Sequence, residues 1–140
     1  DPKSIEHVLS GTYPKEDAMI LEMDAVAEVL KKYNVQVFRP DVIDSYNQIF
    51  SRDIAFVIDN TFIKSNILPD REKEYLAIEN IISQVNSENI EVLPEECHIE
   101  GGDVMPWNEY IFIGTYSGND YPNFITARTN IEAVNALQEL

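Results

Sequence analysis

A layout that occurs twice restricts the fold more than any other feature of this sequence. In each copy an aspartate precedes two short apolar runs, and an arginine then stands where a helix is expected to begin. The pairs are Asp53 with Arg71 and Asp103 with Arg128. A unit of two strands, a helix and a further strand is too small to bury its own apolar face. We therefore predict an α/β protein in which repeats over about 35–93 and 94–140 pack around an axis.

Periodic apolar residues predict three helices. Apolar side chains recur at steps of three and four between residues 14 and 33, which is the spacing of an amphipathic helix. A second helix is predicted to open at Pro69, and we expect the charges of residues 70–74 to face solvent. A third helix is predicted to start near Thr129, which forms a capping box with Glu132.

Short apolar runs bounded by turn residues predict the strands. We expect strands over residues 35–38, 54–58, 61–63, 90–93, 104–105 and 110–114. Asp59 and Asn60 form the predicted tight turn between the second and third of these strands. A polar loop is predicted over residues 115–122, between the last strand and the third helix.

The charge of the chain argues against two classes of partner. With 25 acidic and 10 basic residues, the formal net charge is −15. Such a charge repels nucleic acid and anionic membrane surfaces but attracts small cations. No apolar run approaches the ~18 residues of a membrane span. Cys97 is the single cysteine and rules out an intrachain disulfide framework, so we expect a reducing compartment and a cytoplasmic location.

The segment Glu100-Gly101-Gly102-Asp103 places two carboxylates around a pair of glycines. Glycine lets the main chain approach a ligand closely, and carboxylates accept several hydrogen bonds from a planar cation such as guanidinium. We therefore expect a cation site here. Because α/β folds bind ligands where the ends of neighbouring strands meet, Asp53, Glu100 and Asp103 are expected to share one pocket. The alternative, in which the carboxylates only satisfy backbone donors around a turn, stays open, above all for Asp103.

Several elements together resemble the guanidino-group modifying (pentein) superfamily, which includes arginine deiminases, dimethylarginine dimethylaminohydrolases and glycine amidinotransferases. The elements are Ser51-Arg52-Asp53, Leu68-Pro69-Asp70-Arg71, residues 99–106 and Ala127-Arg128-Thr129-Asn130. Their spacing makes the resemblance more specific than any single element does, and it covers most of the chain from the first helix onward. It implies a five-bladed α/β propeller, of which residues 1–140 would form about two blades in one partial domain.

The resemblance also implies roles for individual residues. Asp53 matches the aspartate that binds the substrate guanidinium, and Glu100 matches the acidic residue that orients a catalytic histidine. Arg71 and Arg128 match arginines that bind the substrate carboxylate or form the pocket around it. The segment Gly101-Gly102-Asp103 is expected to form and brace the loop of the site.

Enzymes of this superfamily use a cysteine that attacks the guanidinium carbon and a histidine that transfers protons to the leaving amine. Water then gives hydrolysis, and an acceptor amine gives transfer. In the family both residues follow the Arg-Thr-Asn element at a distance that lies beyond Leu140, so we expect this sequence to be a fragment that is inactive by itself. The resemblance implies arginine or a related guanidino compound as the substrate, with no metal and no organic cofactor.

Cys97 and His98 are not expected to replace the missing pair, because successive side chains of an extended segment point to opposite faces. We expect Cys97 to be a small thiol, buried or half-exposed, with a raised pKa. We expect His98 to have a packing role, and the alternative is a metal site of His98 with Glu100 and Asp103. The alternative to an enzyme segment is a non-catalytic protein that binds guanidinium groups or assembles with other chains. Apolar faces exposed by two blades would favour a homo-oligomer.

Overall fold

A computed structural model describes residues 2–46, 48–116 and 128–140 of the chain. Contacts divide the chain into two compact units, residues 1–39 and residues 40–140. From residue 117 onward, the polar loop predicted over residues 115–122 lies outside the described residues. Within the described ranges, no helix combines the length and the apolar character needed to cross a membrane. The second unit holds all the predicted site residues.

The first unit consists of helix α1, Pro2–Ser10, and helix α2, Glu16–Lys32. The second of these confirms the helix predicted over residues 14–33. Asn34 ends it in the left-handed region at φ 60°, and the N–H groups of Asn34 and Val35 donate to carbonyls of the last turn. Helix α1 is absent from the sequence-based prediction, because a segment of nine residues gives little periodic signal.

The strand predicted over residues 35–38 is wrong. These residues form no strand, and no described strand pairs with them. A short apolar run satisfies the sequence pattern of a strand, but a strand also needs a neighbour that accepts and donates its backbone hydrogen bonds.

The second unit contains a three-stranded sheet in the order β1-β2-β3. Strand β1, Ala55–Ile58, and strand β2, Thr61–Lys64, form an antiparallel hairpin. Strand β3, Ile90–Val92, runs parallel to β2. Asp59 occupies the turn with a φ of 51°, a left-handed conformation that two-residue hairpin turns require. The predicted hairpin and the strand that follows it are therefore confirmed.

A 3-10 helix, Pro69–Ile78, and a short helix α3, Glu79–Ile82, connect β2 to β3. The second predicted helix is thus helical, but most of it is 3-10 rather than α. The inward side chains Arg71, Glu74 and Ala77 explain this difference, since they recur every three residues. Side chains at that spacing share one face of a helix with three residues per turn.

Two further strands and a helix complete the unit. Strands β4, Val104–Trp107, and β5, Tyr110–Ile113, form a separate antiparallel hairpin, which confirms the last two predicted strands. Helix α4, Ile131–Leu137, follows. The third predicted helix is therefore present.

The capping box predicted from Thr129 and Glu132 is wrong. Asn130 is the N-cap of α4, and its side-chain oxygen accepts a hydrogen bond from the backbone N–H of Ala133 at 3.0 Å. The hydroxyl of Thr129 instead donates to Asp103 Oδ2 at 3.0 Å. The carboxylate of Asp103, distant in sequence, thus accepts the hydrogen bond of the hydroxyl that the local pattern assigned to the cap.

One apolar core joins the two hairpins to α4. Its buried members are Phe56, Ile63, Leu93, Cys97, Ile99, Val104, Ala133 and Leu137. Hydrogen bonds from Gly101 N–H to the Asp53 carbonyl (3.0 Å) and from Arg52 Nη2 to the Val104 carbonyl (2.6 Å) bring the start of one hairpin beside the start of the other. The predicted α/β class is confirmed, and the number of propeller blades stays a prediction.

Candidate functional site

The site is built where the segment before β1 meets the segment before β4. Asp53 lies one residue before the buried Ile54, and its side chain is 15% exposed. Its Oδ2 atom accepts a hydrogen bond from Arg71 Nη1 at 2.9 Å. The aspartate that the resemblance assigns to a substrate guanidinium is therefore paired with a guanidinium of the protein itself.

Arg71 lies at the centre of several acceptors. Its Nε and Nη2 atoms donate to Glu74 Oε1 at 2.7 Å and to Glu74 Oε2 at 3.0 Å. Nη2 also lies 3.4 Å from the Phe50 carbonyl, and the Phe50 ring centroid lies 5.7 Å from the guanidinium carbon. The hydrogen bond to Glu74 and the one to Asp53 raise the pKa of Arg71 further, against the opposing effect of burial. The guanidinium is therefore charged and held on both edges.

Glu100 is the second carboxylate of the site and is 4% exposed. Its Oε2 accepts a hydrogen bond from Arg128 Nη1 at 2.9 Å. Its Oε1 is buried, finds no hydrogen-bond donor among the described residues, and lies 3.7 Å from Arg71 Nη1. Burial raises the pKa of Glu100, although the hydrogen bond and the charge of Arg128 oppose that shift. A buried acceptor without a donor is costly, so Oε1 is the atom of this site best prepared for a further donor.

Asp103 fixes the loop from the other side. Its Oδ2 accepts hydrogen bonds from the Arg128 backbone N–H at 2.8 Å and from the Thr129 hydroxyl at 3.0 Å. The same hydroxyl oxygen accepts the N–H of Glu100 at 3.3 Å. Asp103 therefore binds backbone and hydroxyl donors that hold Glu100 and Arg128 in place.

The two glycines of the loop are crowded by different groups. A Cβ added at Gly101 would lie 2.2 Å from the Arg52 carbonyl oxygen, which belongs to the backbone. A Cβ added at Gly102 would lie 2.3 Å from Asp53 Oδ1. Gly101 thus permits the contact between two backbone segments, and Gly102 leaves room for the carboxylate of Asp53.

Cys97 and His98 do not contribute a nucleophile to this arrangement. Cys97 is buried, and burial together with the charges of Glu96 and Glu132 raises the pKa of its thiol. This confirms the expected buried thiol, which has little thiolate near neutral pH. Across the described part of the chain, no three His, Cys, Asp or Glu side chains are arranged to hold a metal ion, so nothing supports the alternative metal site at His98.

Two surface clefts lie away from the carboxylates. One is lined in part by Lys64, Tyr75 and His98, and the other by Ile111 and Val134 among others. Neither is lined by Asp53 or Glu100. The two carboxylates bind arginines of the protein itself.

Glu74 is the residue of this network that the sequence pattern assigned wrongly. We expected the charges of residues 70–74 to face solvent, but Glu74 is 2% exposed and binds Arg71 through both oxygens. The available signal was its position three residues after Arg71, together with Ala77 three residues further on. That spacing marks one face of a 3-10 helix.

The arrangement as a whole is a pair of carboxylates, the half-buried Asp53 and the buried Glu100, that bind planar cations. Asp53 and Glu100 each accept a hydrogen bond from an arginine, and Arg71 Nη1 lies between them. Charge-assisted hydrogen bonds to guanidinium are among the stronger ones in proteins. Chemically, the site can bind a guanidinium group, provided that a ligand displaces an internal one.

Comparisons with known proteins find similarity in structure. No protein-family model matches the sequence, and no curated protein matches it. A dimethylarginine dimethylaminohydrolase adduct with S-methyl-L-thiocitrulline matches with a TM-score of 0.70 and 18% identity, over 89% of this chain and 46% of its own. An adduct of such an enzyme with 4-chloro-2-hydroxymethylpyridine matches with a TM-score of 0.71 and 18% identity, over 89% and 47%.

A variant of the Pseudomonas aeruginosa enzyme complexed with citrulline matches less well, with a TM-score of 0.49 and 21% identity, over 64% of this chain and 32% of its own. This chain thus spans about half the length of the first two solved structures. Their similarity is one of fold. Over most of its length the chain has a fold similar to that of these dimethylarginine dimethylaminohydrolases.

Proposed function

We propose that this chain supplies the substrate-binding part of a cysteine-dependent enzyme that modifies the guanidino group of arginine or a related compound. The observation that carries the proposal is the pair of carboxylates formed by the half-buried Asp53 and the buried Glu100, each of which binds a guanidinium group in a fold similar to that of dimethylarginine dimethylaminohydrolases. In this proposal Asp53 binds the substrate guanidinium, and Glu100 orients a catalytic histidine.

Substrate binding then proceeds by exchange of cations. Asp53 Oδ2 is occupied by Arg71 Nη1 at 2.9 Å, and Glu100 Oε2 by Arg128 Nη1 at 2.9 Å. A ligand guanidinium competes with these side chains for the carboxylates. In a site of low dielectric, the cation with the better-aligned hydrogen bonds binds the carboxylate more strongly. The Nη1 donors released by the exchange are the groups that we assign to the ligand carboxylate.

The chemistry follows from the reacting groups of the superfamily. A cysteine thiolate adds to the guanidinium carbon, and the C–N bond breaks as a histidine protonates the leaving amine. The resulting thiouronium takes water to give a ureido product and the thiol, or takes an amine to give a new guanidino compound. Cys97 is unsuited to the first step because it is buried and its pKa is raised. We therefore assign the nucleophile and the histidine to polypeptide outside residues 1–140. We assign to this chain about two of the five propeller blades.

A second function is favoured by one observation. The described residues combine two carboxylates that bind guanidinium groups of the protein with a buried thiol of raised pKa, as expected of a protein that binds guanidino compounds without converting them. Such a protein would bind arginine through the same carboxylates and release no product.

The test is turnover by the whole protein. Arginine and its Nω-methylated derivatives are supplied as substrates, and ammonia, methylamines and, with an acceptor amine present, ornithine are measured. We expect one of these products, with activity lost in Asp53→Asn and kept in Asp59→Asn. Asp59 is the matched control because it is exposed in a hairpin turn whose left-handed φ of 51° suits asparagine.

The outcomes separate the two functions. Product release that depends on Asp53 supports the enzyme, and the nature of the product distinguishes deiminase, dimethylarginine hydrolase and amidinotransferase. Arginine binding without product supports the binding protein. Absence of both binding and turnover contradicts the proposal.

A further inference from the structure

The guanidinium of Arg71 has one edge that is fixed and one atom that is shared. Its Nε and Nη2 atoms form a two-pronged contact with both oxygens of Glu74, at 2.7 and 3.0 Å. The remaining nitrogen, Nη1, donates to Asp53 at 2.9 Å and lies 3.7 Å from Glu100 Oε1. Because a fork of two parallel hydrogen bonds sets both the position and the plane of a guanidinium, Glu74 determines where Nη1 points.

We propose that Glu74 is a positioning residue of the guanidino site, which acts through Arg71 and keeps Asp53 exchangeable with a ligand cation. The inference rests on the proposed function for its ligand. Among the described residues, the side chain of Glu74 binds Arg71 and neither of the two site carboxylates.

Charge balance explains why this residue matters. Arg71 carries one positive charge and is only 15% exposed, so its charge is balanced by the carboxylates around it. With Glu74 present, two oxygens of a fully buried carboxylate bind the far edge of the guanidinium. Among the described residues, the carboxylate of Asp53 then accepts one hydrogen bond, from Nη1, and remains available to a competitor. Without the Glu74 charge, Arg71 is balanced by Asp53 and Glu100 alone, and both bind it more tightly.

The burial of Glu74 supports a role in the site rather than at the surface. Long acidic side chains are seldom fully buried unless they are paired, and Glu74 is 2% exposed on a chain with a net charge of −15. Its neighbour Glu72 on the same 3-10 helix is exposed. The two residues differ in environment but not in chemistry, which makes Glu72 the matched control.

The experiment compares Glu74→Gln with Glu72→Gln in the whole protein, because glutamine keeps the shape of the side chain and removes its charge. L-arginine binding is measured by titration calorimetry. We expect Glu74→Gln to raise Kd about tenfold, since a hydrogen bond to a charged group contributes on that scale, and Glu72→Gln to leave Kd unchanged. Equal Kd values for the two variants, with Glu74→Gln merely less stable, would overturn the proposal.

A second readout works without a ligand. The Arg71 Nε–H proton is followed by NMR, and its exchange with water is compared between the wild type and the two variants. We expect slow exchange in the wild type and in Glu72→Gln, and faster exchange in Glu74→Gln, because the Nε–H then loses its charged acceptor. Unchanged exchange in Glu74→Gln contradicts the positioning role. Absence of arginine binding by the wild type, with altered exchange in Glu74→Gln, contradicts the proposed function alone.

Discussion

Replacing Gly102 with alanine separates the orientation of Asp53 from the rest of the fold. A Cβ at this position would lie 2.3 Å from Asp53 Oδ1, whereas ordinary contacts begin at 3.4 Å. The carboxylate must therefore move by roughly 1 Å or turn, and its other oxygen then leaves the 2.9 Å contact with Arg71. The clash is with a side chain, so the backbone around Gly102 can stay in place.

The expected cost follows from the bond that is lost. A hydrogen bond between charged groups contributes about 1.5 to 3 kcal/mol, while exchange of glycine for alanine itself stabilises by about 0.4 to 1 kcal/mol through the unfolded state. Gly114→Ala is the matched control, because its Cβ would meet Asp103 at an ordinary 3.7 Å. The unfolded-state gain is common to both variants, so we expect Gly102→Ala to be about 2 kcal/mol less stable than Gly114→Ala.

Urea unfolding of both variants, followed by circular dichroism, measures this difference. Gly101→Ala is expected to lose the most stability of the three variants, because its Cβ would lie 2.2 Å from a backbone oxygen and the backbone itself must shift. We expect the order of stability Gly114→Ala, Gly102→Ala, Gly101→Ala. Equal stability of Gly102→Ala and Gly114→Ala would refute the reasoning about Asp53.

Three further predictions concern neighbouring groups. Asn130→Ala should destabilise by about 1 to 2 kcal/mol in urea unfolding, because Asn130 caps α4 and also binds the backbone of His98 at 3.1 Å; the exposed Asn135→Ala should cost little, and equal losses would argue against the cap. Cys97 should react with a thiol reagent only as fast as the protein opens, since its side chain is buried out of reach of the reagent; fast reaction in native buffer would contradict its burial. Glu100 has a pKa raised above its ordinary 4.5, so its protonated form favours folding and the stability that it contributes is lost as pH rises from about 4.5; the wild type should therefore lose stability relative to the non-titrating Glu100→Gln as pH rises, and a gain relative to that variant would contradict the raised pKa.

Elements with strong local patterns were predictable from the sequence. The apolar period of residues 16–32 and the turn residues between β1 and β2 are local signals, and both elements are present. The strand over residues 35–38 failed because pairing depends on a partner that local sequence does not show. The prediction of the N-cap of α4 failed because Thr129 and Asn130 are both suitable caps. The hydroxyl of Thr129 instead donates a hydrogen bond to Asp103, a carboxylate distant in sequence.

The sequence named the candidate site residues, whose roles stay predictions, but it did not show their contacts. Motif spacing and the resemblance named Asp53, Arg71, Glu100 and Arg128, and the structure joins them in one network of ion pairs. The pairing of each carboxylate with an internal arginine depends on packing between segments far apart in sequence. Burial of Glu74 depends in addition on a 3-10 geometry that a search for α-helical periods overlooks.

The central claim is that Asp53 binds the guanidinium group of a ligand. Titration calorimetry of L-arginine into the whole protein tests it most directly, with wild type, Asp53→Asn and the hairpin control Asp59→Asn compared. We predict binding by the wild type and the control, and a Kd at least about tenfold higher for Asp53→Asn. Binding that is unaffected by Asp53→Asn, or no binding by any of the three proteins, would contradict the claim.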